Sequence, residues 1–275
     1  GTLTVTGPGS NWKNLLHDVS VGNEGNGTLR IESSGQVSNA NGIIGSQSGS
    51  TGTVTVNGEG SSWTNGAILV VGSRDDGTLR IENGGQVSNT DGFIGSQSGS
   101  TGTATVSGEG STWTNGAMLV VGSFGDGTFR IENGGQVSNT DGVIGSQSGS
   151  TGTATVYGES STWHNSGTLT VGDQGDGALT IESGGRIENT FGRIGLDDPS
   201  GIGFDGAGIV MVTDADSIWD NSEQLYVGVE GPGTLTIADG GSVENTDGVL
   251  AQFSRATGTV TVTGPAATWR NSGTL

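Results

Sequence analysis

Cysteine is absent from this chain of 275 residues, lysine occurs once and histidine occurs twice. The missing thiols exclude disulfide bonds, a cysteine nucleophile and thiolate ligands for a metal. They also favour a protein that crosses unfolded into an oxidising compartment, with chance or a cytosolic origin as the alternative. Nine basic residues stand against 28 acidic ones, and the net charge of -19 argues against binding nucleic-acid phosphates or anionic lipids.

The sequence shows no signal peptide and no apolar run long enough to span a membrane. Instead it is rich in glycine, with 56 residues, and only 30% of its residues are hydrophobic. Glycine-rich chains without a period are typically disordered, but this chain is strictly periodic. The stretch Gly-Ser-Gln-Ser-Gly-Ser-Thr-Gly-Thr starts unchanged at Gly45, Gly95 and Gly145, which gives a 50-residue repeat. Each repeat divides into two related halves of about 25 residues.

An asparagine occupies the same point in every half-repeat, two positions after a large apolar residue. A side-chain amide carries two donors and an acceptor, so stacked copies can hydrogen-bond along a column. Such a column requires each half-repeat to lie directly on the preceding one, and we predict a structural ladder of asparagines at an inner turn. Its members are Asn14, Asn39, Asn65, Asn89, Asn115, Asn139, Asn165, Asn189, Asn221, Asn245 and Asn271.

The apolar residue before the asparagine alternates between tryptophan and Val or Ile in successive halves. This equivalence predicts that the indoles belong to the core, where large and small residues alternate along the column. The alternative is an exposed aromatic platform for sugars. The predicted core aromatics are Trp12, Trp63, Trp113, Trp163, Trp219 and Trp269.

Each half contains three short β-prone segments separated by Gly, Ser, Asn and Asp. In the first segment, such as Gly52-Thr-Val-Thr-Val, the third and fifth residues are apolar and point inward, and the fourth points outward. Three strands per turn of about 25 residues predict an all-β fold, a parallel β-helix (solenoid) of about eleven coils. A propeller blade would not show the half-repeat, and a leucine-rich repeat would need an L-x-x-L-x-L core that is absent.

Because the repeat is continuous, residues 1–275 are predicted to form a single β-helix domain. The chain closes on Gly273-Thr274-Leu275, which is the opening of another repeat, so we expect a fragment of a longer repeat protein. The pattern breaks once, where residues 196–207 replace the usual linker with a longer segment that we expect to bulge as a loop from one corner. Its candidate binding residues are Asp197, Asp198, Phe204 and Asp205.

Several outward residues suggest ice binding or calcium binding but have simpler structural interpretations. Thr-x-Thr pairs resemble the flat faces of ice-binding rods, but Arg30, Arg80 and Arg130 interrupt the array, and each can pair with the glutamate two residues on. Asp-Gly clusters such as Asp126-Gly127 suit calcium, although Asp and Gly are also ordinary turn residues. We therefore expect no metal and no cofactor.

Catalysis has little support in the sequence. His17 and His164 occupy non-equivalent positions, and no serine has a placed base. The acidic cluster of Asp214, Asp216 and Asp220 leaves a polysaccharide-active enzyme as an alternative, because paired carboxylates hydrolyse glycosides. The near-identity of the other repeats argues against one tuned site, and we predict that the chain is not an enzyme.

The repeats combine the motifs Gly-Thr-Leu-Thr-Val, Gly-Ser-x-Trp-x-Asn, Leu-x-Val-Gly and Gly-Thr-Leu-x-Ile-x-x-Gly-Gly-x-Val. Together, and over the whole chain, they resemble the bacterial repeat associated with type V secretion and PEP-CTERM proteins, which occurs in autotransporter passenger regions. The resemblance implies a right-handed parallel β-helix that is exported through the outer membrane and is displayed on the cell surface or secreted. Membrane contact is implied only through a barrel domain that is absent from this chain.

The resemblance also implies adhesion as the commonest role, without fixing the ligand. Candidate partners are a host receptor, a matrix protein, a glycan or a second copy of the protein; nucleic acid is not among them. The leading hypothesis is a non-catalytic adhesin segment that mediates adhesion or cell–cell aggregation. The alternatives are a passive structural stalk and the polysaccharide-active enzyme. Unpaired strand edges at the two ends of the rod also predict end-to-end association.

Overall fold

A computed structural model describes residues 1–196 and 206–274, and all regular structure in these ranges is β-strand. The chain winds into a solenoid with three sheets of 11, 11 and 10 strands, each strand pairing with the equivalent strands of neighbouring coils. The pairing is parallel, which confirms the predicted parallel β-helix with three short strands per coil. At about 4.8 Å per coil the rod is roughly 50 Å long. Within the described ranges no helix is long and apolar enough to cross a membrane.

Three strands recur in each coil, and the described residues contain ten complete coils and the first two strands of an eleventh. The first sheet consists of Thr2–Thr6, Asn26–Glu32, Thr51–Asn57, Asp76–Glu82, Thr101–Ser107, Asp126–Glu132, Thr151–Tyr157, Asp176–Glu182, Gly208–Val212, Pro232–Ala238 and Thr257–Thr263. The second consists of Asn11–Asn14, Gln36–Asn39, Ser62–Asn65, Gln86–Asn89, Thr112–Asn115, Gln136–Asn139, Thr162–Asn165, Arg186–Asn189, Ile218–Asn221, Ser242–Asn245 and Thr268–Asn271. The third consists of Val19–Val21, Gly42–Ile44, Ile68–Val71, Asp91–Ile94, Met118–Val121, Asp141–Ile144, Thr168–Val171, Phe191–Ile194, Leu225–Val227 and Gly248–Leu250.

The core runs along the inside of the rod, because alternate residues of every strand point to it. In the coil that begins at Gly77, the buried residues include Leu79 and Ile81 of the first sheet. The corners need residues that tolerate a left-handed backbone. Gly122 has a φ of +74°, and a Cβ there would lie only 2.5 Å from the carbonyl oxygen of Thr151. Glycine is therefore required where the third strand turns toward the next coil.

Two kinds of coil alternate along the rod. We call a coil with tryptophan before the asparagine a tryptophan coil, and one with Val or Ile there a valine coil. The tryptophan coils begin at Gly1, Gly52, Gly102, Gly152, Gly208 and Gly258. The valine coils begin at Gly27, Gly77, Gly127, Gly177 and Gly233.

The indoles lie inside the rod, over glycines of the preceding valine coil. A Cβ on Gly92 would lie 3.1 Å from Cζ2 of Trp113 and 2.8 Å from Cδ1 of Leu119. The missing side chain at Gly92 therefore makes the room that the indole fills, and the same relation recurs at Gly42, Gly142 and Gly192. The completely buried indoles are those of Trp63, Trp113, Trp163 and Trp219. Those of Trp12 and Trp269, in the terminal coils, are partly buried.

A cluster of three aromatic rings lies in the middle of the rod. Phe129 meets Trp113 and Trp163 edge to face, with ring centroids 5.7 and 5.3 Å apart. Its neighbours in the first sheet are Ala104 below and Ala154 above. Those two small residues compensate for the large ring, so the total core volume changes little.

The asparagines lie one above another, because every strand of the second sheet ends at one of them. Asn89 Nδ2 donates to Asn115 Oδ1 at 2.6 Å, and Asn89 Oδ1 accepts a hydrogen bond from Trp113 Nε1 at 2.7 Å. The Nδ2 groups of Asn65 and Asn165 have no hydrogen-bond partner among the described residues. The column is therefore a stack of pairs and not a continuously hydrogen-bonded ladder. The other pairs are Asn39–Asn65, Asn139–Asn165, Asn189–Asn221 and Asn245–Asn271, and Asn14 donates instead to the carbonyl of Asp18.

Two further polar contacts join a valine coil to the tryptophan coil after it. The hydroxyl of Ser111, which is completely buried, accepts a hydrogen bond from the Gly84 amide at 3.0 Å. Asp91 Oδ1 accepts one from the Met118 amide at 3.2 Å. Equivalents of the serine contact occur at Ser61, Ser161 and Ser217.

Candidate binding face

The outer face of the second sheet follows from strand alternation. In Gln136–Asn139, Val137 and Asn139 are buried, whereas Gln136 and Ser138 face outward. Parallel, in-register pairing repeats this arrangement from coil to coil. Two columns of outward side chains therefore run along the rod, with about 4.8 Å between successive members.

From the second coil to the sixth, both columns contain only Gln, Ser and Thr, and Thr162 continues one of them into the seventh. We call this set the neutral strip: Gln36, Ser38, Ser62, Thr64, Gln86, Ser88, Thr112, Thr114, Gln136, Ser138 and Thr162. A shallow cleft of about 310 Å³ lies at the end of the strip nearest Thr162. The polar lining of that cleft consists of Thr112, Thr114, Gln136, Ser138, Thr162 and His164.

Beyond the neutral strip the same columns carry charged side chains. Arg186 Nε donates to Glu188 Oε1 at 2.6 Å, and Arg186 Nη2 donates to Asp220 Oδ2 at 3.1 Å. His164 Nδ1 lies 3.3 Å from Glu188 Oε2. The hydrogen bond from Arg186 is the main reason that the pKa of Glu188 is lowered, and His164 lowers it further. We call these four residues the ion-pair cluster. Three of them, His164, Glu188 and Asp220, line a second cleft of about 400 Å³.

The acidic residues considered for catalysis do not converge. Asp214 and Asp216 both have a left-handed backbone, at φ +71° and +65°, in the turn after the first sheet. Asp214 Oδ2 accepts hydrogen bonds from the amide and hydroxyl of Ser183 at 3.3 and 3.2 Å. Asp220 lies on the outer face of the second sheet, where Arg186 pairs with it. Asp214 and Asp220 therefore serve separate local contacts.

The candidate binding residues of the insertion, Asp197, Asp198, Phe204 and Asp205, lie outside the described residues. The flanking backbone rejoins the solenoid on both sides. The Leu196 amide donates to the Gly172 carbonyl at 2.7 Å, and the Ala207 amide donates to Asp176 Oδ1 at 3.2 Å. Asp173, beside these contacts, has a raised pKa because burial disfavours its charged form.

The predicted arginine–glutamate pairs on the first sheet form in part. Arg80 Nη1 lies 3.9 Å from Glu82 Oε1, and Arg130 pairs closely with Glu132 while its guanidinium lies 5.4 Å from the Tyr157 ring centroid. No salt bridge of Arg30 is found within the described chain, so two of the three possible pairs form. These side chains are exposed on a flat face, where a flexible arginine has little to hold it in one rotamer.

The Asp-Gly corners contain turn hydrogen bonds. Asp75 Oδ2 accepts a hydrogen bond from the Gly49 amide at 2.5 Å, and Asp75 Oδ1 accepts one from the Asp76 amide at 2.9 Å. Among residues 1–196 and 206–274, no group of three or more His, Cys, Asp or Glu side chains is arranged to hold a metal ion.

Neither a protein-family model nor a curated protein matches the chain. Among solved structures it is similar to the TibC-catalyzed hyper-glycosylated TibA55-350 fragment, with 18% sequence identity and a TM-score of 0.41. The alignment covers 98% of this chain and 88% of that chain. Identity and score are both too low to transfer a function from one chain to the other.

Proposed function

We propose that this chain is a non-catalytic segment of a bacterial surface-displayed or secreted passenger region, and that it mediates adhesion or cell–cell aggregation. The observation that carries the proposal is the continuous outer face of the second sheet, where side chains repeat in register over eleven strands and all are polar except Ile218. A surface of this kind suits contacts that are individually weak and spread along a rod, because linked contacts raise avidity without any single tight site. The repeat motifs, which resemble those of autotransporter passengers, support the same location at the outer membrane.

The test is an adhesion assay with the purified chain immobilised on beads. We expect the beads to bind host cells, matrix proteins or bacteria that display the same protein, and unfolded chain on matched beads to bind none of them. A version in which the ordinary six-residue linker Ser-Gln-Ser-Gly-Ser-Thr replaces residues 196–207 separates the two routes to adhesion. Retained binding places adhesion on the sheet faces, and lost binding places it on the insertion. Beads that bind no target in either version contradict the proposal.

A passive stalk is the second candidate, because the tryptophan coils that begin at Gly52, Gly102 and Gly152 present nearly the same outward residues. Such a spacer needs length but no particular surface. Deleting residues 77–126 in a full-length protein removes two coils, about 10 Å of rod. A stalk predicts unchanged adhesion once an unrelated spacer restores the reach, whereas an adhesive rod predicts a loss that the spacer does not repair.

A further inference from the structure

Five side chains of the neutral strip, in the fourth to sixth coils, make no contact that the fold requires. Gln86, Thr112, Thr114, Gln136 and Ser138 make no side-chain hydrogen bond within the described chain. Each glutamine amide offers two donors and an acceptor, and each hydroxyl offers one donor and two lone pairs. The strip therefore presents many donors and acceptors toward solvent, including those that line the cleft at its Thr162 end.

The strip is also uncharged, in a chain with 28 acidic and nine basic residues. Acidic residues on the outside are placed elsewhere, for example at Glu82 and Glu132 of the first sheet. A polyanion is disfavoured because the net charge of the chain is -19. A cationic partner would find no carboxylate on the strip itself. The charge pattern therefore fits an uncharged partner.

No aromatic or aliphatic side chain faces outward among the members of the strip, because the tryptophans of the same strands are inside the rod. Protein partners usually bind through buried aromatic or arginine anchors, which this face lacks. An uncharged polymer with a hydroxyl-rich repeat needs no such anchor. It meets equivalent donors and acceptors every ~4.8 Å over the length of the strip, about 25 Å.

We propose that the neutral strip binds a neutral polysaccharide, which lies along the solenoid and makes its closest contacts at the cleft between Thr112 and Thr162. This deepens the proposed adhesive function and rests on it. Each contact is a solvent-exposed hydrogen bond without aromatic stacking, so single contacts are weak and the polymer is held by many of them at once.

The experiment is native electrophoresis of the whole chain through gels that contain dextran, mannan or galactan, with dextran sulfate as the charged counterpart of dextran. We expect at least one neutral polymer to retard the chain and dextran sulfate not to. The double variant Gln86→Ala and Gln136→Ala loses the hydrogen bonds of two residues, which at about 0.7 kcal/mol each weakens binding about tenfold. The matched control is Gln97→Ala, an exposed glutamine on a corner loop outside the strip, and its retardation should equal that of the parent chain.

Thermal unfolding of each variant shows whether the fold is retained, and Thr114→Ala provides a second variant on the strip should the double variant be destabilised. Three outcomes overturn the proposal: no retardation by any neutral polymer, stronger retardation by dextran sulfate, or equal retardation of the parent and strip variants. The bead assay then separates the two proposals. Beads that still adhere, but are indifferent to strip variants and to added neutral polymer, leave adhesion standing and remove the polysaccharide. Adhesion that the strip variants abolish without any polymer binding assigns the strip to a protein partner.

Discussion

The two kinds of junction between coils differ in how their side chains are connected. Where a tryptophan coil follows a valine coil, two buried hydrogen bonds cross the junction, from Asn89 to Asn115 and from Trp113 to Asn89, together with a part-buried one from the Gly84 amide to Ser111. Where a valine coil follows a tryptophan coil, most crossing side-chain contacts are exposed, such as that from the Thr140 hydroxyl to the Gly116 carbonyl at 3.3 Å. The main-chain ladders continue across both junctions.

This difference shows that the physical repeat is a valine coil with the tryptophan coil after it. Residues 77–126 are one such pair, and residues 127–176 are the next. The stability of a solenoid is approximately the sum of its units and of the interfaces between neighbours. Since hydrogen bonds that satisfy buried groups are costly to lose, we expect local opening to start at the tryptophan-to-valine junctions.

The largest loss of stability is expected from Trp113→Val, which gives a tryptophan coil the residue that valine coils have at this position. The change leaves a cavity over Gly92 and removes the donor that Asn89 Oδ1 accepts from. Large-to-small changes of this kind cost about 3–5 kcal/mol. Amide hydrogen exchange in residues 77–126 measures the loss. Trp269→Val, in the partly buried terminal coil, is the control and should lower the free energy of unfolding clearly less. Equal losses at the two sites would contradict the pairing of a valine coil with the tryptophan coil after it.

The next largest effect distinguishes the two members of an asparagine pair. Asn89→Ala leaves two buried groups without partners, the indole N–H of Trp113 and Oδ1 of Asn115. Asn115→Ala leaves one buried group, the Nδ2 donor of Asn89, without a partner, and it also removes a long, part-buried hydrogen bond of 3.5 Å from Asn115 Nδ2 to the Ser138 carbonyl. At about 1–3 kcal/mol for each unsatisfied group, we expect Asn89→Ala to lower the free energy of unfolding about twice as much as Asn115→Ala. Chemical denaturation of both variants makes the comparison, and equal losses would indicate a symmetric ladder.

A smaller effect is expected from an added methyl group. The Cβ of Gly92→Ala would lie 2.6 Å from Asn115 Oδ1 and would press on the indole, so overpacking should cost about 1–3 kcal/mol. Gly116→Ala is the matched control in the next coil, where the nearest atom to the new Cβ is 3.8 Å away. We expect the control to be neutral or slightly stabilising in thermal unfolding. A destabilised control would show that the effect at Gly92 reflects backbone conformation and not the packing under the indole.

Most of the fold was predictable from the sequence, because the same strand pattern recurs in every half-repeat. The strand alternation, the parallel stacking and the coil length all follow from periodicity. The pairing of the asparagines was not predicted, because all eleven were treated as equivalent. Their spacing carried a signal, since it is 26 residues within a bonded pair, as from Asn89 to Asn115, and 24 residues from Asn115 to the next pair at Asn139. A second signal lay in Gly92 and its counterparts, whose alternation with Leu119 follows the alternation of valine with tryptophan. Phe129 gave a similar signal, between Ala104 and Ala154.

The candidate site was harder to predict, because motif searches look for unusual residues and the neutral strip consists of common ones. Its members can be recognised only when the outward residues of the second strand are compared from one coil to the next. The ion-pair cluster has the same origin: Arg186 and Asp220 are 34 residues apart in the chain, and only the stacking of coils joins them. Contacts of this kind depend on register, which a single segment does not reveal.

The smallest expected effect concerns the exposed ion pairs, which cross both kinds of junction: Arg186 with Asp220 at one, and His164 with Glu188 at the other. The pKa of Glu188 is lowered chiefly by Arg186, so its contribution to stability is complete above the unfolded-state value of about 4.3 and is lost as the pH falls through the lower folded-state value. Because the pair is well exposed, we expect only a few tenths of a kcal/mol. In a carboxyl NMR titration, Arg186→Gln should raise the pKa of Glu188 more than His164→Gln does. Since exposed pairs contribute so little, neither variant should change which kind of junction opens first in hydrogen exchange. If the order of opening were reversed, the difference between the junctions would be due to surface charge and not to the buried asparagine–tryptophan contacts.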